Sequence, residues 1–266
     1  MKKWFIFTAI AIMFMLINID MTSVSIALAS ISYYFKLNLV QVKWVLSSYY
    51  IIAAVSFLIF GHLGDKYGAK KIFMLGIIFF ALGSTIAGLC PNFSVLIIGR
   101  LIQGLGFGAT LGLGYIIIHQ SFPIQLRGLA LGISFTVSGL SLAVGPIIGG
   151  TLIQYYSWRA VLLINAPFCI IAYCMSWKFV TNHVLNKMKS LALTSTLLFI
   201  IGSSLLLFIL SQCSHLNLST TLLGLLTSLT LLTLFLSASK HNPHHLLNYS
   251  LLQDRCLHSI MLTRFI

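Results

Sequence analysis

The sequence contains no glutamate, and its only acidic residues are three aspartates, Asp20, Asp65 and Asp254. Charged residues of every kind make up 7% of the 266 residues, whereas hydrophobic residues make up 59%. A soluble domain of this length cannot bury so much apolar surface, so the composition excludes a water-soluble globular protein. So few carboxylates also leave little acid–base chemistry, and no nucleophile–base pair stands out, so we do not expect an enzyme.

Cysteine and histidine form no pattern that is typical of a metal or disulfide framework. The five cysteines lack CxxC spacing and lie mostly in apolar runs: Cys90, Cys169, Cys174, Cys213 and Cys256. Three histidines near Pro243 could ligate zinc (His241, His244 and His245), because imidazole is a zinc ligand. A solvated connector is the favoured interpretation of that segment, so we predict no metal and no cofactor.

Apolar runs of about twenty residues, the length that crosses a bilayer, recur along the whole chain. They predict an all-α polytopic membrane protein with eight spans, near 4–29, 43–61, 72–90, 94–118, 128–154, 158–180, 191–211 and 217–238. The start of the chain also resembles a secretory signal peptide, but the length of its apolar run and the interruption by Asp20 favour a membrane helix.

Basic residues set the predicted orientation. The net charge is +13, but the basic residues lie between apolar runs rather than in one patch, so nucleic acid is not an expected partner. One side of the predicted topology carries ten of them: Lys2, Lys3, Lys66, Lys70, Lys71, Arg127, Lys178, Lys187, Lys189 and Lys240. The other side carries Lys36, Lys43 and Arg159. Because the richer side normally faces the cytoplasm, we predict an inner-membrane protein with both termini cytoplasmic.

Asp20 lies inside the first predicted span, where a carboxylate is costly and therefore indicates function. At about 1.5 Å per residue, Asp20 lies roughly 24 Å along the first span, in its outer part. The fourth span runs in the opposite direction, and Arg100 lies roughly 9 Å from its start at the outer boundary. The two charges fall at similar depth and can pair if these spans are neighbours. Three interpretations stay open: a proton site controlled by Arg100, a permanent ion pair that locks two helices, and a site that attracts a cationic substrate.

The stretch GHLGDKYGAKK, residues 61–71, lies between the second and third predicted spans. Gly61 and Gly68 permit close backbone approach and a tight turn. Asp65 can accept hydrogen bonds from helix N-terminal amides, which favour negative charge. Three lysines, Lys66, Lys70 and Lys71, hold the segment at the cytoplasmic surface.

This spacing resembles the signature loop of the major facilitator superfamily, and four other stretches agree with it. They are IDMTSVSIALA in the first span, RLIQGLGFGA in the fourth, VGPIIGG in the fifth and WRAVLLINAP in the sixth. In order and spacing they are similar to the motifs of the fourteen-helix drug/proton antiporter branch over about residues 8–240.

Glycines at four-residue intervals in the fourth span, and the pair Gly145 and Gly149, also have a simpler interpretation as close helix packing. Pro146 should kink the fifth span.

The resemblance implies a six-helix transporter bundle over 1–182, two additional membrane helices over 183–240, and a connector over 241–266 towards a second half. Such transporters work by rocking two halves around a shared site. Since the sequence ends where the second half is expected, we expect a fragment of a longer gene product. A transporter completed by a separate chain and a homodimer of halves are the alternatives.

The function that the resemblance implies is proton-coupled efflux of small amphipathic compounds by the intact protein. Asp20 and Arg100 would couple proton and substrate, and the residues of the 61–71 segment would form a cytoplasmic gate (Gly61, Asp65, Lys66, Gly68, Lys70 and Lys71). The fourth-span motif would contribute Gln103, Gly104 and Gly106, and the antiporter motif Gly145, Pro146, Gly149 and Gly150. Nutrient uptake by the same fold and a non-transporting membrane fragment are the competing hypotheses.

Overall fold

The computed structural model describes residues 2–181, 193–212 and 217–240, and all regular secondary structure in those ranges is helical. The helices are α1 (Lys2–Phe35), α2 (Leu39–Val42), α3 (Trp44–Tyr67), α4 (Ala69–Gly88), α5 (Phe93–Ser121), α6 (Ile124–Tyr155), α7 (Trp158–Leu163), α8 (Asn165–Phe179), α9 (Leu193–Gln212) and α10 (Leu218–Lys240). The predicted all-α membrane architecture is confirmed.

The chain divides into two units, Met1–Asn186 and Lys187–Ile266. Within the described residues, six segments of the first unit and one of the second, Ser219–Ala238, are long and apolar enough to cross a membrane. The seventh predicted span, 191–211, corresponds to α9, Leu193–Gln212, which is apolar over Thr196–Leu210.

The connection between α3 and α4 is a single residue, Gly68, whose φ of 97° is a conformation that favours glycine. The prediction of a loop over 61–71 is therefore wrong, because residues up to Tyr67 continue α3 and Ala69 begins α4. The prediction for Gly61 is also wrong. A Cβ at Gly61 would meet nothing within 4 Å, so no close backbone approach requires glycine there.

The sixth predicted span, 158–180, is present as one membrane-crossing segment, Trp158–Phe179, in which the helix is interrupted at Ile164. α7 ends at Leu163 and α8 begins at Asn165. Pro167 explains the break, because it has no N–H to donate to the Leu163 carbonyl four residues earlier, and its ring crowds that carbonyl. Pro146, in contrast, lies inside a continuous α6.

Glycines allow the backbone of α5 to approach the backbones of α3 and α4 closely. A Cβ at Gly106 would lie 2.6 Å from the Gly76 carbonyl oxygen of α4, and one at Gly108 would lie 2.6 Å from the Ala53 carbonyl oxygen of α3. One buried apolar cluster, which includes Phe14, Phe73 and Phe80, fills the space among α1, α4 and α5. The small-residue packing that the sequence predicts for the fourth span is thus present.

Replacing Gly106 by alanine should weaken the bundle, because the new methyl group has no room between α5 and α4. We expect a loss of about 1–3 kcal/mol in the free energy of unfolding, measured by denaturant titration in detergent. Gly139→Ala is the matched control, since a Cβ there meets nothing within 4 Å, and its expected effect is neutral or slightly stabilising. Equal effects of the two substitutions would contradict this packing.

Candidate functional site

Asp20 and Arg100 form a fully buried ion pair inside the first unit. Arg100 Nη1 lies 2.7 Å from Asp20 Oδ2, and both side chains are 0% exposed. Asp20 comes from α1 and Arg100 from α5, which run past each other in the bundle. The juxtaposition expected from their matched depths is therefore present.

Two side-chain amides complete the shell of the Asp20 carboxylate. Gln103 Nε2 donates to Asp20 Oδ1 at 3.0 Å, and Asn165 Nδ2 donates to the same oxygen at 2.9 Å. Both amide residues are buried. Each oxygen of the carboxylate thus accepts from α5, and Oδ1 also accepts from α8. Such a complete shell is what a buried charge requires.

Arg100 is held on three sides. Its Nε donates to the Val45 carbonyl of α3 at 3.1 Å, and its Nη1 also donates to Gln103 Oε1 at 2.7 Å. The guanidinium carbon lies 4.0 Å from the centre of the Tyr49 ring, an attractive cation–π arrangement. Arg100 Nη2, the Tyr49 hydroxyl and the Ser48 hydroxyl are buried and find no hydrogen-bond partner among the described residues.

Asn165 links the carboxylate to α4 and α7. Its Nδ2 also donates to Ser84 Oγ at 3.1 Å, and Ser84 Oγ donates to the Leu162 carbonyl oxygen at 2.5 Å. Asn165 further lines a cavity of about 250 Å³ between α1, α6 and α8, whose other walls are almost entirely apolar. Asn165 lies in the WRAVLLINAP stretch, which by itself predicts no role for it, and Ser84 lies in none of the five motifs. The available signal was a polar residue inside an apolar run, two positions before Pro167.

The antiporter motif packs against the turn of α1 that follows Asp20. Ser23 Oγ donates to the Gly145 carbonyl oxygen at 2.6 Å. A Cβ at Gly145 would collide with Thr22, and one at Gly149 would lie 2.8 Å from the Ser23 Cα, whereas Gly150 has open space. Gly145 and Gly149 therefore form the contact of α6 with α1, and Gly150 does not share in it.

The predicted gate residues lie where α3 meets α4. Lys70 Nζ donates to the Trp177 carbonyl oxygen of α8 at 2.7 Å, and Lys66 Nζ lies 5.1 Å from the centre of the Tyr67 ring. The hydrogen bonds expected from helix N-terminal amides to Asp65 are not present among the described residues, because Asp65 lies in the last turn of α3, where carbonyls rather than amides are free.

Some predicted features fall on residues that the structure does not describe. They are the connector 241–266 with its histidines, Asp254, Lys187 and Lys189. Within the described residues no group of three or more His, Cys, Asp or Glu side chains is placed to hold a metal ion.

Comparison with known proteins identifies the family. The sequence profile of the Major Facilitator Superfamily matches residues 8–235. The chain belongs to the major facilitator superfamily. Its resemblance to that family in five motifs is thereby confirmed.

The curated relatives are transporters that are longer than this chain. The chain is 32% identical over 212 residues to the riboflavin transporter RibZ of Clostridioides difficile, which covers 79% of this chain and 46% of the relative. It is 36% identical over 169 residues to the tetracenomycin C resistance and export protein of Streptomyces glaucescens, covering 62% of this chain and 31% of the relative. The chain therefore spans about half or less of the length of the relatives that it matches.

Solved structures share the fold at low sequence identity. A peptide transporter in complex with sulfate superposes with a TM-score of 0.63 at 15% identity, covering 82% of this chain and 48% of that one. The human organic anion transporter MFSD10 superposes with a TM-score of 0.59 at 12% identity, covering 77% and 55% respectively. These likenesses show that the chain shares the fold of these two proteins over the aligned residues.

Arg100→Met should destabilise the folded chain by about 3–5 kcal/mol, because it leaves the Asp20 carboxylate buried without its counter-charge. Adding Asp20→Asn removes that uncompensated charge, so the double variant should be more stable than Arg100→Met alone. Denaturant titration of the parent, both single variants and the double variant gives the coupling free energy. Independent, additive losses would contradict a tightly paired site.

Proposed function

We propose that the intact form of this protein is a proton-coupled secondary transporter that exports small amphipathic compounds. Asp20 is the proton site and Arg100 its coupling partner. The observation that carries the proposal is the fully buried Asp20–Arg100 pair, because ionisable groups inside a membrane bundle are expensive and mark ion pathways.

Protonation would change the balance of forces in the bundle. While Asp20 is ionised, its charge holds Arg100 and so joins α1 to α5. A proton on Asp20 cancels this charge and leaves Arg100 with hydrogen bonds to neutral groups, Val45 and Gln103. The α1–α5 contact then weakens, which supplies the differential free energy that a conformational switch requires.

The rest of the site fits a rocking bundle. The α6 glycines that contact α1, Gly145 and Gly149, give the pivot face, with Pro146 between them. The gate at the α3–α4 junction comprises Asp65, Lys66, Gly68, Lys70 and Lys71. Alternating access needs a second bundle, so the working assembly includes six further helices in a longer product, in a separate chain or in a second copy.

Export is favoured over uptake by the relatives and by the fifth-span motif. The Streptomyces glaucescens relative is named as a resistance and export protein, and a Bacillus subtilis relative, 40% identical over 124 residues, is named multidrug resistance protein 3. The RibZ relative is named for riboflavin, so a nutrient or metabolite is the second candidate substrate class.

The proposed location of the transporter is the cell inner membrane, with both termini in the cytoplasm. Lys66, Lys70 and Lys71 cluster at the α3–α4 junction, and Lys178 ends α8 on the side that Lys70 contacts. The excess of basic residues on this side supports a cytoplasmic assignment. Protons, a small-molecule substrate and lipid are the proposed partners.

Asp20→Asn should abolish transport that is driven by a pH gradient. The test uses inverted membrane vesicles of the native host, with ethidium as the probe for efflux and riboflavin as the probe for the alternative. Because an asparagine cannot carry the proton, the variant should lose gradient-driven ethidium accumulation and retain exchange of ethidium across the membrane.

Ser25→Ala is the matched control on the same helix, since within the described residues the Ser25 hydroxyl donates only to the Met21 carbonyl of its own helix. It should leave transport unchanged. Gradient-driven transport by Asp20→Asn at the parent rate would refute the proton role, and riboflavin transport without ethidium transport would favour the second substrate class.

A further inference from the structure

Asn165 presents an unused hydrogen-bond acceptor beside the carboxylate. Its Nδ2 donates to Asp20 and Ser84, whereas its Oδ1 is buried and finds no partner among the described residues. Leaving a buried amide oxygen unpaired is energetically costly. Such a cost at the centre of the site calls for an explanation, and the chemistry of Asp20 provides one.

The two protonation states of Asp20 make opposite demands on their neighbours. An ionised carboxylate only accepts hydrogen bonds, and a protonated one must also donate. In the shell of Asp20, Gln103 Oε1 already accepts from Arg100 at 2.7 Å. Asn165 Oδ1 is the acceptor in the described shell that is not yet used. A side-chain amide can serve both states, because it carries a donor and an acceptor on the same group.

We infer that Asn165 is a positioning residue that reports the protonation state of Asp20 to α4 and α7. It donates from Nδ2 to the ionised carboxylate. When a proton is added to Asp20 Oδ1, the Asn165 amide turns over, and its Oδ1 accepts the new O–H. This inference rests on the proposed protonation of Asp20.

Turnover of the Asn165 amide changes which of its atoms faces the Ser84 hydroxyl. The Asn165 nitrogen that donates to Asp20 also donates to Ser84 Oγ at 3.1 Å, so after turnover Ser84 faces an acceptor instead of a donor. The Ser84 hydroxyl, which now donates to the Leu162 carbonyl, then donates to Asn165 Oδ1. This step removes a hydrogen bond that ties α4 to α7.

The lost bond lies at a weak point of the sixth span. Leu162 is in the last turn of α7, just before the break that Pro167 causes. A helix break is where a small change in hydrogen bonding can change the angle between two segments. Proton binding at Asp20 is thereby transmitted to the junction between α7 and α8.

Other titratable groups also face Asp20, and these residues are the same in all the variants compared below. They are Arg100 from α5, Tyr49 and Tyr50 from α3, and Cys169 from α8. The groups facing Asp20 from α4 and α6 are uncharged in the described residues. A measurement that reports the hydrogen bond of the Asp20 carboxyl group itself distinguishes the effect of Asn165 from the effects of these neighbours.

Infrared spectroscopy provides this readout, because the C=O stretch of a protonated carboxyl group moves to higher frequency when its O–H loses an acceptor. The chain has three acidic side chains, so subtracting the spectrum of Asp20→Asn isolates the Asp20 band as the pH is lowered. In Asn165→Leu we expect this band at higher frequency than in the parent chain.

In Asn165→Leu, Asp20 Oδ1 keeps its bond from Gln103 and Ser84 keeps its acceptor at Leu162. Asn165→Ala serves as a second variant with the same expected shift if leucine does not fold. Ser84→Ala is the matched control: it removes the other contact of Asn165 but leaves the Asp20–Asn165 contact, so the band should not move.

The outcomes separate this inference from the proposed function. An Asp20 band in the parent chain that keeps its frequency in Asn165→Leu and Asn165→Ala overturns the role of Asn165 and leaves the proton site standing. Absence of any Asp20 band while the chain stays helical by circular dichroism overturns both. An equal shift in Ser84→Ala also overturns the inference, because it assigns the effect to general loosening of the site.

Discussion

The contact between the Asp20 carboxylate and the Arg100 guanidinium, 2.7 Å apart and shielded from solvent, is the interaction on which the first unit depends. A charge in that position is tolerated only if it is paired with an opposite charge and hydrogen-bonded. This requirement brings α1, α3, α5 and α8 to one point, since Val45, Gln103 and Asn165 supply the remaining bonds. The site is thus a structural centre as well as a candidate proton site.

Close helix packing makes this convergence possible. Gly83 of α4 and Gly99 and Gly106 of α5 have backbone atoms of the opposite helix where a Cβ would lie. Ser84 of α4 lies within reach of Asn165 of α8, and Arg100 and Gln103, one helical turn apart on α5, both contact Asp20. The glycine contacts bring α4, which carries Ser84, against α5, which carries Arg100 and Gln103.

The sequence predicts the helical architecture, the family and the pairing of Asp20 with Arg100, because these follow from apolar run length, motif spacing and matched depth in the membrane. It does not predict the role of Asn165 or Ser84. Their contacts depend on the rotation of α4 and α8 about their axes, and residue spacing along one helix does not specify rotation relative to another. The error at residues 61–71 has a similar origin: polar residues indicate a membrane surface, but they do not indicate that the helix ends there.

The most direct test of the central claim is the ionisation state of Asp20 itself. Labelling aspartate with ¹³C at its carboxyl carbon gives a chain with three labelled side chains, and Asp20→Asn identifies the Asp20 resonance. We expect this resonance to move from the ionised to the protonated chemical shift as the pH is lowered, while the chain remains folded. A resonance that keeps the ionised chemical shift until the chain unfolds would show a permanent ion pair and would contradict proton binding at Asp20.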